Sequence, residues 1–565
     1  MTHFGIPEIL FIILILIYCA TLPKILARGG QDTWMSYVPV LQFIPLIKVI
    51  QRPWYWVLLL LVPGVNFIML VIVNVELGIV FNQRSTKQQW IMGALPWYGL
   101  IQLAFQNTTA PYVGARDWSK TKKSFARDWS EAILFAVVAA TVIRSFFLEA
   151  FTIPTPSMEK SMLVGDYLFV SKFSYGTKLP QTPMSIPFLH NALPGSSMMN
   201  SYVDWFSLPY MRLPGLGSVD RFDPVVFNFP HGDTILVDPY YAGHDYYGIL
   251  LQEAIVMASL ESKNNQDTLN GLEKYKMNPE KYRAIARKNF NEKKVCVSCG
   301  YGKGNGRPFP IGGTRFRPMD KKENYIKRCI GLPGETLQIE HRQVMINGTA
   351  IENPEGLMFN YQFELINPAM KKRIEDKYTI NNGDLRAIPD TAGQITNWFE
   401  CPLTYADYQD LKNSGDVKWI EAQDEMKPDM PGVLFPNSMD EAFANWTVDN
   451  YGPVTIPAKG MTITLDHHQF EMYKRVIDVY ENHSIEEKDG QFFIDGVAQT
   501  QYTFESDYYW MMGDNRHHSA DSRFWGFVPE NHVVGKAVFT WFSKGNPEYH
   551  KNTKIRWNRM FRLVD

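Results

Sequence analysis

One serine and one lysine carry the clearest chemistry in this 565-residue chain. Ser157 lies in FTIPTPSMEKSML, where Pro154 and Pro156 restrict the backbone and expose the residue that follows. A serine hydroxyl is a weak nucleophile until a neighbouring base takes its proton, so the chain has to supply one. Twelve histidines are present, and the pairs His517/His518 and His467/His468 are the best placed. Neither pair comes with a nucleophile-elbow sequence, and His517 and His518 read as solvated loop residues. Lys327 is the better base. In ENYIKRCIGLPGETLQI it sits in an alternating run that sends Lys327 and Arg328 to opposite sheet faces, and a lysine on the apolar face is desolvated. An ordinary lysine, with a pKa of about 10.4, is neutral in only roughly one copy in 2,500 at pH 7. Burial can lower that value by about 3 to 5 units. A serine served by a buried lysine is a known variant of triad logic.

The elements that must hold these groups follow from composition. The chain is too long for one core and predicts two to four domains. Hydrophobic residues at 45%, charged residues at 20% and a mean hydropathy of -0.20 describe an ordinary globular average. A net charge of -2 and a pI near 6.7 leave no basic footprint for a phosphate backbone, which excludes nucleic acid as a partner. Five cysteines are too few for a disulfide scaffold. Cys296 and Cys299 form one C-x-x-C without a second pair, so no metal site is expected and two thiols or a local disulfide remain.

The average hides an uneven distribution. Residues 4–22, 54–81, 90–105 and 132–148 are apolar runs that predict membrane spans, the third being short. The first lacks the basic flank and cleavage site of a signal peptide. Arg116, Lys120, Lys122, Lys123 and Arg127 precede the last run, and the positive-inside rule then puts residues 151–565 outside the cytoplasm. Beyond Phe151 the segments DYLFVSKF, PVVFNFP and GKAVFTWFS alternate like strands, and Asn347-Gly348 and Asp495-Gly496 signal tight hairpins. LLQEAIVMASLESK and EKYRAIARKNF instead have helical periodicity. The expected organisation is a membrane module over 1–127, a final transmembrane helix over 128–150, and catalytic core segments over 151–235, 321–353 and 454–565. Insertions over 236–320, with helices, and 354–453, a cap, interrupt that core. The fold class is therefore N-terminal transmembrane helices followed by a mostly β, antiparallel catalytic domain with α/β insertions.

PTPSMEKSML, GDYLFVSKFSYG, NYIKRCIGLPGE and MMGDNRHHSADSRFWGFVPENHVVGKA, in that order behind a membrane anchor, resemble the signature boxes of type I signal peptidases. The long insertions are similar to the extended forms of Bacteroidetes-type bacteria, and the front part resembles small membrane modules fused to bacterial enzymes. The resemblance implies a Ser/Lys serine endopeptidase of the bacterial inner membrane, multi-pass, with its catalytic domain on the periplasmic side. It would cut exported preproteins at Ala-x-Ala-like sites through an acyl-enzyme, with the lipid bilayer and the secretion machinery as partners and no cofactor. Residue by residue, it implies Ser157 as nucleophile and Lys327 as base, Thr155 with the Ser157 amide as oxyanion hole, and Ser519 as the hydroxyl orienting the lysine. Asp514, Arg516, Asp521 and Arg523 would be structural support. The chain departs from the pattern at Lys160-Ser161, where the family commonly has Pro-Thr, and at Cys329. MYKRVIDVY imitates the lysine box at Lys474 but lacks the Gly331-Leu332-Pro333-Gly334 turn. Two rival readings are a Ser/Lys autopeptidase of the repressor-cleaving type and a non-enzymatic membrane-anchored binding domain.

Overall fold

The computed structural model describes residues 6–565 apart from 39, 117–124, 186–188, 190–199, 204–206, 231, 233, 237–245, 266–268, 293–294, 297–308, 311–313, 390–393, 423–431, 551–552 and 565. The chain divides into two compact units, one comprising Met1–Phe147 with Leu179–Met211, the other Leu148–Lys178 with Arg212–Asp565.

The first unit is helical. Its longest helices are Ile6–Arg28, Val65–Val80 and Phe125–Phe146. Leu22, Leu46, Val65, Val73, Leu77, Met92 and Leu100 are buried together at its centre. Two of the expected spans are broken. The run 54–81 forms a short helix, Trp56–Leu59, then a turn at Pro63-Gly64, before Val65–Val80 begins. Gly64, the residue just before the second of these helices, takes a φ of 79° there at no steric cost. The run 90–105 is split by Pro96 into Thr86–Ala94 and Pro96–Ile101, because proline cannot donate to the preceding turn. Among the described residues, one helix is long and apolar enough to cross a membrane: 128–146, with none of its residues buried. It stops two residues short of the expected end, and Leu148 already begins a strand.

The second unit is mostly β. Its largest sheet is antiparallel and is built from β1 (Leu148–Thr152), β2 (Asp166–Ser171), β3 (Pro224–Asn228), β4 (Asn324–Gly331), β5 (Tyr508–Met512), β6 (Val528–Pro529), β7 (Val533–Ser543) and β8 (Arg562–Leu563). Their spatial order is β1-β2-β7-β3-β4-β5-β6, with β8 on β7. Chain-distant strands are thus neighbours: β3 and β4 pair with Val225 opposite Lys327, and β4 meets β5 with Arg328 opposite Met512. Both expected hairpin turns form. Asn347 and Gly348 have φ of 49° and 78°, and Asp495 and Gly496 the same values, as a type I′ turn requires.

Two elaborations are threaded between these strands. Three helices, Tyr246–Asn265, Gly271–Met277 and Pro279–Asn291, pack around Ala254, Tyr275, Tyr282 and Phe290. A second sheet has the order Arg386–Pro389, Ile395–Thr404, Met358–Leu365, Val417–Ala422 and carries the helices Lys371–Lys377 and Tyr405–Asn413 over its own core of Phe363, Leu365, Phe399 and Leu411.

Candidate active site

Three pieces of chain meet here. Ser157 sits on a short 3-10 turn, Pro156–Met158, between β1 and β2; Lys327 lies in β4; and the loop from Gly513 follows β5. Ser157 and Lys327 are 7% and 3% exposed. The Lys327 Nζ and the Ser157 Oγ are 2.6 Å apart, in hydrogen-bond contact. Burial pulls the Lys327 pKa down to about 8, against the opposing charges of Asp521 and Asp514, with Arg523 adding to the depression. An amine so placed can be neutral near physiological pH, and a neutral amine in contact with a hydroxyl can accept its proton.

The supporting charges are arranged in two buried pairs. Arg328, next to Lys327, donates from Nε and Nη2 to the two oxygens of Asp514 at 2.9 and 2.8 Å, and from Nη1 to the Phe222 carbonyl. Arg523 grips Asp521 in the same forked way at 2.9 and 2.8 Å, and Asp521 also accepts from the Gly513 amide. Burial raises the Asp521 pKa, but the charge and hydrogen bonds of Arg523 outweigh it and hold the carboxyl below its ordinary value. Arg523 further donates to the Arg516 carbonyl. The buried Arg516 guanidinium lies 5.9 Å from the ring centre of Phe359, its pKa lowered to about 10 by burial first and by the charge of Arg523 second.

The backbone around Ser157 is held from the same loop. The Asn515 amide donates to the Ser157 carbonyl at 3.1 Å, and its side chain donates to the Pro156 carbonyl at 3.2 Å. Gly513 permits this approach, since a β-carbon there would stand 2.6 Å from the Ser157 carbonyl oxygen. Neither Asn515 nor Arg328 was legible as a site residue, although both stand inside the quoted motifs and GDNR already marks a loop of dense polar residues.

One expected contact is not made. Ser519 is buried, but its hydroxyl donates weakly to the Ala520 carbonyl at 3.5 Å and makes no hydrogen bond to Lys327. It leans instead toward Gly513, where the absent side chain leaves room. Thr155 is exposed in extended backbone just before the 3-10 turn, and its side chain does not cap that turn. The histidines expected in solvent divide. The His517 side chain is fully buried: Nδ1 accepts from the Asn360 amide at 3.1 Å, so the ring proton is on Nε2, which meets both Asp449 oxygens at 2.9 Å. The reason is tertiary, because both partners come from distant chain. His518 is partly buried with Asp384 3.7 Å away, His467 is exposed between Asp440 and Glu487, and His468 stacks on Phe443. Lys474 is on a helix, His467–Arg475, paired with Glu471.

Among the described residues no group of three or more His, Cys, Asp or Glu side chains is placed to hold a metal. Cys299 and the Cys296 side chain lie outside the described residues. Cys19, Cys329 and Cys401 are free thiols, and burial pushes Cys329 and Cys401 up.

Comparison with known proteins bears on this geometry directly. The family described as "Signal peptidase, peptidase S26" matches residues 126–391 and 452–542, spanning Ser157, Lys327 and the Gly513 loop. The chain belongs to this signal peptidase family. A signal peptidase I of Buchnera aphidicola subsp. Schizaphis graminum is 43% identical over 442 residues, 78% of this chain and 82% of that protein. Shorter matches join the signal peptidase I of Haemophilus influenzae, 40% identical over 70 residues, and that of Buchnera aphidicola subsp. Acyrthosiphon pisum, 56% over 52 residues. These cover 12% and 9% of this chain but only 20% and 17% of the two relatives, so the likeness to them is confined to short stretches. Residues 34–115 match a separate family of unknown function.

Proposed function

We propose that this protein is a membrane-bound serine endopeptidase that removes N-terminal signal peptides from exported preproteins. The observation that carries this reading is the buried 2.6 Å contact between the Lys327 amine and the Ser157 hydroxyl. In the proposed cycle neutral Lys327 takes the Ser157 proton as Oγ bonds to the scissile carbonyl carbon. The Thr155 hydroxyl and the Ser157 amide stabilise the resulting oxyanion, a service worth about 3 to 4 kcal/mol per donor. The C–N bond then breaks, Lys327 returns the proton to the leaving amine, and the signal peptide is left esterified to Ser157. Lys327 next accepts a proton from water as it attacks the ester carbon and gives that proton to Oγ as the C–O bond breaks, which releases the acid and restores the serine and the neutral amine. Ser519 orients the amine in this cycle after its hydroxyl rotates from Ala520, while Asp514, Arg516, Asp521 and Arg523 keep the loop rigid. Substrates with small residues at the boundary, an Ala-x-Ala-like pattern, fit shallow pockets that reject bulk.

The helix over 128–146 supports anchoring in the inner membrane, and it ends only a few residues before Ser157 in the chain. The apolar run 4–22, read as a second crossing, makes this a multi-pass protein with its catalytic unit on the periplasmic side. The bilayer, and the secretion machinery that delivers preproteins through it, are then its neighbours.

The full chain in detergent, incubated with a preprotein carrying an Ala-x-Ala boundary, is expected to release the mature N-terminus, and Ser157→Ala to release none. Cleavage of the chain itself without cleavage in trans favours the autopeptidase reading. Failure of both, together with failure of a β-lactam-type agent to acylate Ser157, favours a binding domain.

A further inference from the structure

Lys160, at one of the two departures from the family pattern, has a φ of 70°, a left-handed conformation rare for a residue with a β-carbon. Its side chain reaches into the second insertion, where Nζ donates to the Tyr378 carbonyl at 2.8 Å and faces Asp407 at 3.2 Å. Tyr378 follows the helix Lys371–Lys377 and Asp407 lies in Tyr405–Asn413, so the insertion holds the chain three residues past Ser157.

The same insertion grips the Gly513 loop. At its first strand, the Met358 amide donates to the Asp514 carbonyl at 2.9 Å and the Asn360 amide to His517. At its far end, the Val448 carbonyl accepts from Arg523 at 3.2 Å and Asp449 binds His517. His517 thus ties the insertion's first strand to its last residues, four positions before Asp521 and two after Asn515, which holds the Ser157 backbone. A buried, fully bonded bridge of this kind fixes one geometry, because any other arrangement strands desolvated polar groups.

We propose that Lys160 and His517 are positioning residues, through which the insertion over 354–453 sets the Ser157 hydroxyl against the Lys327 amine. The inference rests on the peptidase reading above and adds that the insertion acts on the rate of the chemical step, through the two chain segments that meet at Ser157.

The test uses the full chain in detergent and two readouts: steady-state preprotein cleavage, and the second-order rate at which a β-lactam-type agent acylates Ser157. Lys160→Ala is expected to lower kcat and the acylation rate together by on the order of 10-fold, since small misplacements of reacting groups are costly, with KM within about twofold. Lys160→Arg keeps a cationic donor and is expected to recover most of the loss. His517→Ala is expected to show the same split, and should that variant unfold, the Lys160 site, whose side chain is 25% exposed, still decides. Unchanged kcat and acylation in Lys160→Ala, or a loss confined to KM, would overturn the inference while leaving the peptidase reading intact. Acylation of a wild-type chain that cuts no preprotein would overturn the reading, with the acylation rates still judging the inference. A chain that is neither acylated nor active overturns both.

Discussion

Lys327→Met is expected to abolish turnover and to make the folded chain more stable. The thioether matches the aliphatic stem in volume but cannot take a proton, so loss of the base lowers kcat by on the order of 10⁴-fold. The stability gain comes from the same feature. Lys327 is buried and its pKa falls from 10.5 to about 8, so the folded state binds the proton less tightly than the unfolded state. Below pH 8 the lysine is charged in both states and the full cost of burying that charge falls on the folded one. That cost is about 3 kcal/mol, from 1.36 kcal/mol per pKa unit. Between pH 8 and 10.5 the folded lysine is neutral while the unfolded one is still charged, and wild-type stability rises. The gain in Lys327→Met is therefore about 2 to 3 kcal/mol at pH 7, allowing for imperfect packing, and shrinks as pH approaches 10.5. Urea titrations of both proteins at pH 7 and 10 check this; a less stable variant at pH 7 would show that the amine contributes net binding energy to the fold.

Asp514→Ala carries the largest expected loss of stability. It removes the forked acceptor of Arg328 at a site where the two side chains are 5% and 2% exposed. The guanidinium keeps its bond to the Phe222 carbonyl and a long contact to Ser161 but loses its forked carboxylate partner. Breaking one side of a buried pair costs about 3 to 5 kcal/mol, more than the pair contributes over an apolar substitute, because an uncompensated charge is left behind. The double variant Asp514→Leu with Arg328→Met is accordingly expected to lose less than Asp514→Ala alone. Chemical denaturation of the three proteins measures it, and a single variant within about 1 kcal/mol of wild type contradicts the account. Activity should fall in Asp514→Ala as well, because Arg328 and Lys327 are consecutive in β4.

What the sequence made legible was local. Asn347-Gly348 and Asp495-Gly496 prescribe their own backbone, and the alternation around Lys327 predicts a strand whatever lies next to it. Ser157 could be picked out only by the order of its motif among the others, and the exposure that Pro154 and Pro156 predict is not met, because the fold leaves it 7% exposed. What stayed hidden depends on chain that folds in from elsewhere. His517 looks solvated within GDNRHHSADS, and only Asp449 and Asn360 make it a buried link. The run 54–81 has the hydropathy of one span, yet Pro63-Gly64 turns the chain inside it. Arg328 could be placed on a sheet face, but nothing in NYIKRC names Asp514 as its partner. Ser519 shows the limit from the other side: its place in the motif predicts a bond to Lys327, while a side-chain rotation decides whether the bond is made.

In the proposed cycle a lysine whose pKa is lowered by burial serves the Ser157 hydroxyl, so the pH dependence of kcat/KM for preprotein cleavage follows its titration. The profile of the free enzyme reports the titration of its essential base. The expected profile has a limb that rises about tenfold per pH unit and levels off near the Lys327 pKa of about 8. A profile flat from pH 6 to about 10, or one that falls across that range, would contradict it.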